Sequence, residues 1–249
     1  MASLTRLDFN QAFKAIRCNY IKTEKSKIEM KKLKNLSNRF LLNFKVRRIA
    51  RIYKNKSGKK LFIDGGSNLG QGYSFFSRYF SPNDYDVVFI EPNPNCMKEV
   101  KKKFNYIKDA KFLEKAIWIK EEKLNFFGLV EDQRGNTSTG GSVVESHNNS
   151  MYLSDESQSI SVDAFSFSDF LFNIGREYDT VIVKLDIESA EYMVLKDLIS
   201  KNTITIMDHL FVEFHSQYYD VSERPIYQKL EKELLNIINS KGIGFTKWI

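Results

Sequence analysis

Cysteine is scarce in this chain. Only Cys18 and Cys96 occur among the 249 residues, and no Cys-x-x-Cys or Cys/His spacing accompanies them. A disulfide framework or a zinc site is therefore not expected to organise the fold, and a reducing compartment suits the sequence best.

Long apolar runs are missing as well. No stretch approaches the ~20 apolar residues that cross a bilayer. The first 20 residues contain Arg6, Asp8, Lys14 and Arg17, which interrupt any signal-peptide core. At 42% hydrophobic and 14% aromatic residues, the composition supports a folded core. We therefore expect a soluble, cytoplasmic protein without a transmembrane segment.

Acidic residues are few at the start of the chain. Residues 1–56 contain 16 Lys and Arg against three Asp and Glu, whereas the whole chain carries a net charge of +7. Residues 8–55 lack Gly and Pro, and their apolar residues recur at helical spacing. We predict two domains, a basic helical N-terminal extension over residues 1–56 and an α/β domain over residues 57–249.

Short apolar runs alternate with helical segments from Leu61 onward. Residues 86–90 (DVVFI), 180–185 (TVIVKL) and 209–214 (HLFVEF) are typical of buried strands. This alternation predicts a Rossmann-like, doubly wound, mostly parallel sheet. The polar segment 131–159 is long for a connection, and it predicts a binding loop in which His147 and Tyr152 suit hydrogen bonds to hydroxyl groups.

A glycine-rich turn, Asp64-Gly65-Gly66-Ser67-Asn68-Leu69-Gly70, follows the first apolar strand and opens a helix predicted over Gly70–Phe80. Glycine lets the backbone turn tightly and approach a ligand closely, and the start of a helix attracts anionic groups. In Rossmann-like folds the cofactor binds at this turn. A purely structural turn is the alternative, because such a turn alone is a weak signal.

Glu91 ends the next predicted strand and precedes Pro92. An acidic residue at this position, about 20 residues beyond the glycine turn, can accept hydrogen bonds from both ribose hydroxyls of a nucleoside. A nicotinamide cofactor would use the same features, but Asp64 opens the turn where dinucleotide folds present glycine. Carboxylates suit the ammonium and sulfonium charges of S-adenosylmethionine.

Carboxylates cluster where the strand 180–185 ends, in Lys184-Leu185-Asp186-Ile187-Glu188-Ser189-Ala190-Glu191. Side chains at the exit of a central parallel strand point into the ligand crevice. Neighbouring carboxylates raise one another's pKa, which favours a general base, or they bind a divalent cation. Helix capping is the alternative, above all for Glu191, and Lys184 is either an ion-pair partner or a substrate contact.

A further strand exit carries Glu213-Phe214-His215. Histidine has a pKa suited to proton transfer near neutral pH, and the chain contains only three histidines. The candidate catalytic residues are Asp186, Glu188, His215 and Lys184. A divalent metal, Mg²⁺ or Mn²⁺, would have Asp186, Glu213 and His215 as its candidate ligands.

Together these segments resemble the FkbM-type S-adenosylmethionine-dependent methyltransferase family from about Leu61 to Phe214. The turn from Asp64 to Gly70 is similar to the family's Asp-x-Gly-Ala-Asn-x-Gly turn, and Glu91-Pro92 to its Glu-Pro element. Residues 183–191 are similar to its Lys-x-Asp-x-Glu-Gly-x-Glu element, except that Ser189 replaces the glycine.

The resemblance implies S-adenosylmethionine as methyl donor and O-methylation of a hydroxyl, here a sugar hydroxyl of a glycan, a polysaccharide or a nucleotide sugar. Asp186 would lie near the methyl group and the acceptor. The residues that the resemblance implies for cofactor binding are Asp64, Gly65, Gly66, Ser67, Asn68, Gly70, Glu91 and Ala116.

Two other classes of function stay open. The basic residues 1–56 could bind phosphates, which would suit a nucleic-acid methyltransferase. They could instead bind a membrane surface or a partner, with the Rossmann-like domain sensing a ligand without catalysis, or they could form a homodimer. The carboxylates at two strand exits favour an enzyme over a non-catalytic module.

Overall fold

The computed structural model describes residues 40–137, 140–147 and 158–248. The chain divides into two units between Arg51 and Ile52. Residues 40–54 form helix α1, in agreement with the helical spacing there, whereas residues 1–39 lie outside the described residues. The domain boundary at residue 56 stays a prediction.

The second unit alternates strands and helices along the chain. Its elements are β1 (Lys60–Gly65), α2 (Gln71–Phe76), β2 (Asp86–Ile90), α3 (Pro94–Lys103), β3 (Lys111–Leu113), β4 (Ala116–Trp118), β5 (Glu122–Phe126), β6 (Val130–Asp132), β7 (Gly135–Thr137), β8 (Ile160–Ser166), α4 (Phe167–Ile174), β9 (Thr180–Leu185), α5 (Glu191–Ser200), β10 (His209–Val212), α6 (Arg224–Ser240) and β11 (Gly244–Lys247).

Six parallel strands form the central sheet, in the order β3-β2-β1-β9-β10-β11. The chain first winds outward from β1 to β3 and then returns to place β9 on the other side of β1. This reversal confirms the predicted Rossmann-like, doubly wound sheet. Ligands of such sheets bind at the carboxyl ends of the strands beside the reversal, here those of β1 and β9.

Both faces of the sheet are covered, because successive residues of a strand point to opposite faces. Leu61 and Ile63 belong to a hydrophobic core that includes residues of α4, α5 and α6. Phe62 points the other way and contacts Tyr73 and Phe76 of α2, with ring centroids 5.4 Å and 5.3 Å away. The strands therefore pack against a hydrophobic core on each face of the sheet.

Helix α2 is shorter than predicted. The sequence predicted a helix over Gly70–Phe80, but regular helix ends at Phe76, and a hydrogen-bonded turn continues to the N–H of Phe80. Gly70 has a left-handed backbone (φ 73°), so the helix begins after it. The turn brings the Phe80 ring to 5.4 Å from Phe62, which extends the aromatic core.

A second, smaller sheet has the strand order β4-β8-β5. Ala116, Phe126, Val162 and Ala164 form its buried core. Between β5 and β8, strands β6 and β7 pair as a hairpin inside the segment expected to be a polar loop. The side-chain amides of Asn93 and Asn95 both donate to the carbonyl oxygen of Asn136, at 3.1 Å and 3.0 Å, so the hairpin is tied to the start of α3.

Among the helices of the described ranges, none combines the length and the apolar character that a membrane crossing requires.

The aromatic core yields a stability prediction. Phe76 is fully buried, and its ring lies 4.7 Å from Phe211 and 4.8 Å from Trp248. We expect Phe76→Ala to lower the free energy of unfolding by about 3–5 kcal/mol, because it leaves a cavity. Urea unfolding measures this loss. Phe172→Ala, at a half-exposed ring, is the control and should cost under about 1 kcal/mol; equal losses would contradict the prediction.

Candidate active site

A cleft lies where the carboxyl ends of β1, β2 and β9 meet. It encloses about 640 Å³ of empty space, part of it open to solvent. The glycine turn, the segment after β2, the start of β4 and the segment after β9 all contribute to its wall. The lining residues are Gly66, Asn68, Gln71, Ile90, Glu91, Pro92, Lys115, Ala116, Ile117, Phe126, Gly140, Gly141, Val143, Asp186, Ile187, Glu188 and Ala190.

The glycine turn passes directly under the end of β9. Gly66 has φ 70°, and a Cβ at this position would overlap the carbonyl oxygen of Asp186. Its N–H and that of Ser67 both donate to the carbonyl oxygen of Ile90, at 3.0 Å. Glycine is therefore required at residue 66 for both its backbone conformation and its space. Gly66 and Asn68 line the cleft, whereas Asp64, Gly65, Ser67 and Gly70 lie behind it.

Glu91 presents its carboxylate at the end of β2. Oε2 accepts from the Asn68 N–H at 2.8 Å, and Oε1 accepts from the Asn93 N–H at 3.0 Å. Burial raises the pKa of Glu91 to about 7, although these two hydrogen bonds oppose the shift. Each oxygen keeps a second lone pair, so the ionised carboxylate can accept two more hydrogen bonds from a ligand.

An apolar wall lies beside Glu91. Ala116 and Ile117 of β4 and Phe126 of β5 line it, and Val143 of the loop 140–147 adds to it. Ala116 was predicted as a cofactor contact from the resemblance. Phe126 and Val143 were not predicted, because both lie far in sequence from the predicted motifs. The only local signal is the alternation of polar and apolar residues along β5, which applies to Phe126.

Lys184 is a buried cation inside the sheet. Its ammonium is 3.2 Å from Oδ1 of Asp64 and 3.4 Å from Oδ2 of Asp186, and it donates to the carbonyl oxygen of Gly66 at 2.7 Å. Burial opposes its charge, but Asp64 and Asp186 outweigh burial and raise the pKa of Lys184. Of the two roles considered, the structure supports the ion-pair partner, since Lys184 is 1% exposed and does not line the cleft.

Asp64 is fully buried against Lys184. Desolvation raises the pKa of Asp64, and the neighbouring ammonium opposes this. Its side chain lies behind the glycine turn and does not line the cleft. The paired Asp64 therefore holds the turn in place, and its contact with a cofactor stays a prediction.

Asp186 and Glu188 line the cleft and converge on the buried His215. Nε2 of His215 lies 3.2 Å from Oε2 of Glu188 and 3.6 Å from Oδ1 of Asp186. One ligand atom of each residue falls within 4.8 Å of the others, which is the spacing of a cation site. Glu213 is more peripheral, with Oε1 4.0 Å from the same nitrogen.

Glu191 orients His215 from the opposite side. Oε1 of Glu191 accepts a hydrogen bond from the backbone N–H of His215 at 3.0 Å. The same oxygen lies 3.2 Å from the ring nitrogen Nδ1 of His215. Burial alone would lower the pKa of His215, but Glu191 together with Glu188 and Asp186 raises it to about 10. Glu191 thus opens α5 and also positions His215, a role that the capping alternative did not include. This raised pKa favours the protonated form of His215 at neutral pH.

Ser189, which replaces the glycine of the family's motif, lies in the turn between β9 and α5. Glu188 and Ser189 have φ values of 49° and 77°, a region that favours glycine. Ser189 uses its hydroxyl, which lies 2.7 Å from Nδ1 of His147. His147 is therefore buried and bonded within the protein, whereas Tyr152, predicted with it, lies outside the described residues.

The pairing of Lys184 with Asp64 gives a second stability prediction. We expect Lys184→Met to lower the free energy of unfolding by about 3–5 kcal/mol, because Asp64 would keep a buried, unpaired charge. Adding Asp64→Asn should recover part of the loss. Urea unfolding measures all variants. The control Lys229→Met breaks an exposed pair with Glu233 and should change stability by under about 1 kcal/mol; a similarly small loss for Lys184→Met would contradict the prediction.

No curated protein matches the sequence. The chain is similar to the crystal structure of methyltransferase FkbM from Methylobacillus flagellatus KT, at 13% identity and a TM-score of 0.42, over 72% of this chain and 37% of that one. The chain thus spans well under half of that protein. The family model described as the methyltransferase FkbM domain matches residues 64–242, from the glycine turn to the end of α6. Because this match covers more than half of the sequence, the chain belongs to the FkbM methyltransferase family.

Proposed function

We propose that the protein transfers a methyl group from S-adenosylmethionine to a sugar hydroxyl of a glycan, a polysaccharide or a nucleotide sugar. Family membership implies the methyl donor. One observation carries the proposal. Glu91, a residue placed to accept hydrogen bonds from ribose hydroxyls, lines the same cleft as the carboxylates Asp186 and Glu188. A nucleoside held at the first group would extend its sulfonium arm toward the others.

The cofactor half of the cleft suits a nucleoside. The free lone pairs of Glu91 would accept from the two ribose hydroxyls. Ile117 and Phe126 would cover the adenine ring with apolar surface. Gly66 would let the methionine arm pass close to the backbone, since any side chain there would fill the space.

The reacting half of the cleft carries negative charge. S-adenosylmethionine, when bound, supplies an activated methyl group with a neutral thioether as leaving group. Asp186 and Glu188 would attract the positive arm and align the acceptor hydroxyl with it. Asp64 would not serve this purpose, because Lys184 already neutralises it.

We propose Asp186 as the group that takes the proton of the acceptor hydroxyl. It lines the cleft, and its side chain is 24% exposed. His215 is 2% exposed and does not line the cleft, and the carboxylates around it keep it protonated. His215 would instead orient Asp186 and Glu188. The alternative base is Glu188, since burial raises its pKa to about 8 despite the opposing effect of His215.

The same residues fit a divalent cation. Asp186, Glu188 and His215 offer two carboxylate oxygens and one imidazole nitrogen, a donor set that suits Mn²⁺ better than Mg²⁺. The cation would replace the proton on Nε2 of His215, because only the neutral imidazole binds a metal. Glu191, on the far side of His215, would hold the ring as outer carboxylates do in metal sites. A bound cation would lower the pKa of the acceptor hydroxyl. In this ligand set Glu188 would replace the predicted Glu213, whose Oε1 lies 4.0 Å from Nε2 of His215.

The cofactor site gives a binding prediction. We expect Glu91→Gln to weaken S-adenosylhomocysteine binding at pH 8 at least about tenfold, because two charged hydrogen bonds are lost. In the unaltered protein, affinity should fall roughly tenfold from pH 8 to pH 6, since Glu91 titrates near pH 7 and the ionised form binds the hydroxyls.

Titration calorimetry at both pH values checks this prediction, and Glu91→Gln should show a smaller pH dependence. Glu121→Gln changes an exposed glutamate and is the matched control, with binding unchanged. Equal affinity of Glu91→Gln and the unaltered protein at pH 8 would exclude Glu91 as the ribose contact. If the unaltered protein itself releases no heat, the proposed function is wrong.

The reacting site gives an activity prediction. We expect Asp186→Asn to lower methyl transfer about 10²–10⁴-fold while S-adenosylhomocysteine affinity changes by less than about threefold. A screen of sugar acceptors with radiolabelled methyl donor measures transfer, and Asp197→Asn in α5 is the control. Unchanged turnover of Asp186→Asn would eliminate Asp186. If Mn²⁺ binds the unaltered protein in calorimetry but not this variant, and chelation stops turnover, Asp186 acts as a metal ligand.

A further inference from the structure

Glu188 lies in the turn between β9 and α5, and the backbone of this turn has an energetically unfavourable conformation. Both Glu188 and Ser189 have left-handed backbones, with φ values of 49° and 77°. Side chains with a Cβ rarely adopt this conformation, and consecutive examples persist only where surrounding contacts enforce them. Ser189 is fully buried, so those contacts come from protein.

The loop 140–147 supplies two such contacts. The hydroxyl of Ser142 donates to the carbonyl oxygen of Glu188. The hydroxyl of Ser189 and Nδ1 of His147 form a hydrogen bond of 2.7 Å. These four residues, Ser142, His147, Glu188 and Ser189, are called the clasp below.

His147 is also placed against the reacting side chains. Its Nε2 lies 3.5 Å from Oε2 of Glu188, and its ring centroid lies 4.9 Å from that of Tyr218 and 6.0 Å from that of His215. The side chain is only 1% exposed. His147 therefore lies beside the carboxylate oxygen that His215 also approaches, although its Nε2 makes no hydrogen bond there.

The same loop forms part of the cofactor cleft, through Gly140, Gly141 and Val143. A bond that holds the loop therefore acts on two places at once. It keeps the wall of the cofactor cleft in place, and it keeps Glu188 in the conformation that faces His215.

We propose that His147 is a positioning residue that couples the cofactor wall to the carboxylate of Glu188 through the clasp. The proposal rests on the proposed function for its effect on catalysis. Serine at residue 189 is integral to it, because glycine would adopt φ 77° freely but would offer no hydroxyl to His147.

Hydrogen exchange without added cofactor tests the clasp itself. The N–H groups of Val144, His147 and Ala190 are hydrogen-bonded within the loop and the turn. We expect His147→Ala to speed exchange in peptides covering 140–147 and 186–192 at least about tenfold. Ser189→Gly should do the same, because it removes the hydroxyl. His147→Asn should restore protection, since an amide can replace Nδ1.

His209→Ala provides a matched control. His209 is a buried histidine bonded to a hydroxyl, that of Thr246 at 3.1 Å, and it lies at the start of β10 rather than at the site. Its replacement should lower the melting temperature without speeding exchange in the two peptides. Equal effects of both alanine variants would show a general loss of stability and would overturn the proposal.

Calorimetry and kinetics test the coupling. We expect His147→Ala to weaken S-adenosylhomocysteine binding about tenfold and also to lower kcat, with both recovered in His147→Asn. Unchanged exchange in His147→Ala overturns the clasp. Faster exchange with unchanged affinity and kcat overturns the coupling. If the unaltered protein binds no S-adenosylhomocysteine, the proposed function fails and the coupling fails with it, whereas the exchange result still decides the clasp.

Discussion

The buried ammonium of Lys184 is the contact on which the rest of the site depends. It lies between Asp64 of β1 and Asp186 after β9, and it also donates to the carbonyl oxygen of Gly66. A charge in the protein interior is tolerated only when it is paired. One cation therefore links the ends of the two central strands, the glycine turn and the proposed base.

The sequence predicted the sheet and the positions of its polar strand ends well, because both follow from short-range patterns. Buried parallel strands are continuous apolar runs, as in residues 86–90 and 180–185, and polar residues follow each run. Parallel strands place these ends at one edge, so Glu91 and Asp186 line one cleft as expected. The choice between an ion-pair partner and a substrate contact needed three-dimensional distances, as Lys184 demonstrates.

Contacts between distant segments could not be predicted in the same way. Phe126 reaches the cleft because β5 pairs with β8, a pairing that no local pattern specifies. The motif alone shows only that Ser189 replaces a glycine, whereas the fold brings His147, 42 residues earlier, into hydrogen-bond contact with its hydroxyl. Glu191 looked like a capping residue until the fold brought His215 to its carboxylate.

The segment between β5 and β8 is hydrogen-bonded to the protein on both sides of the cleft. Asn136 is held by Asn93 and Asn95 near Glu91, and Ser142 and His147 are held by the turn after β9. Ordering a free segment around a ligand costs conformational entropy, which reduces affinity. Here hydrogen bonds within the protein order the segment during folding, so the wall of the cleft is preorganised. The affinity for the cofactor would therefore depend mainly on the contacts that the cofactor makes.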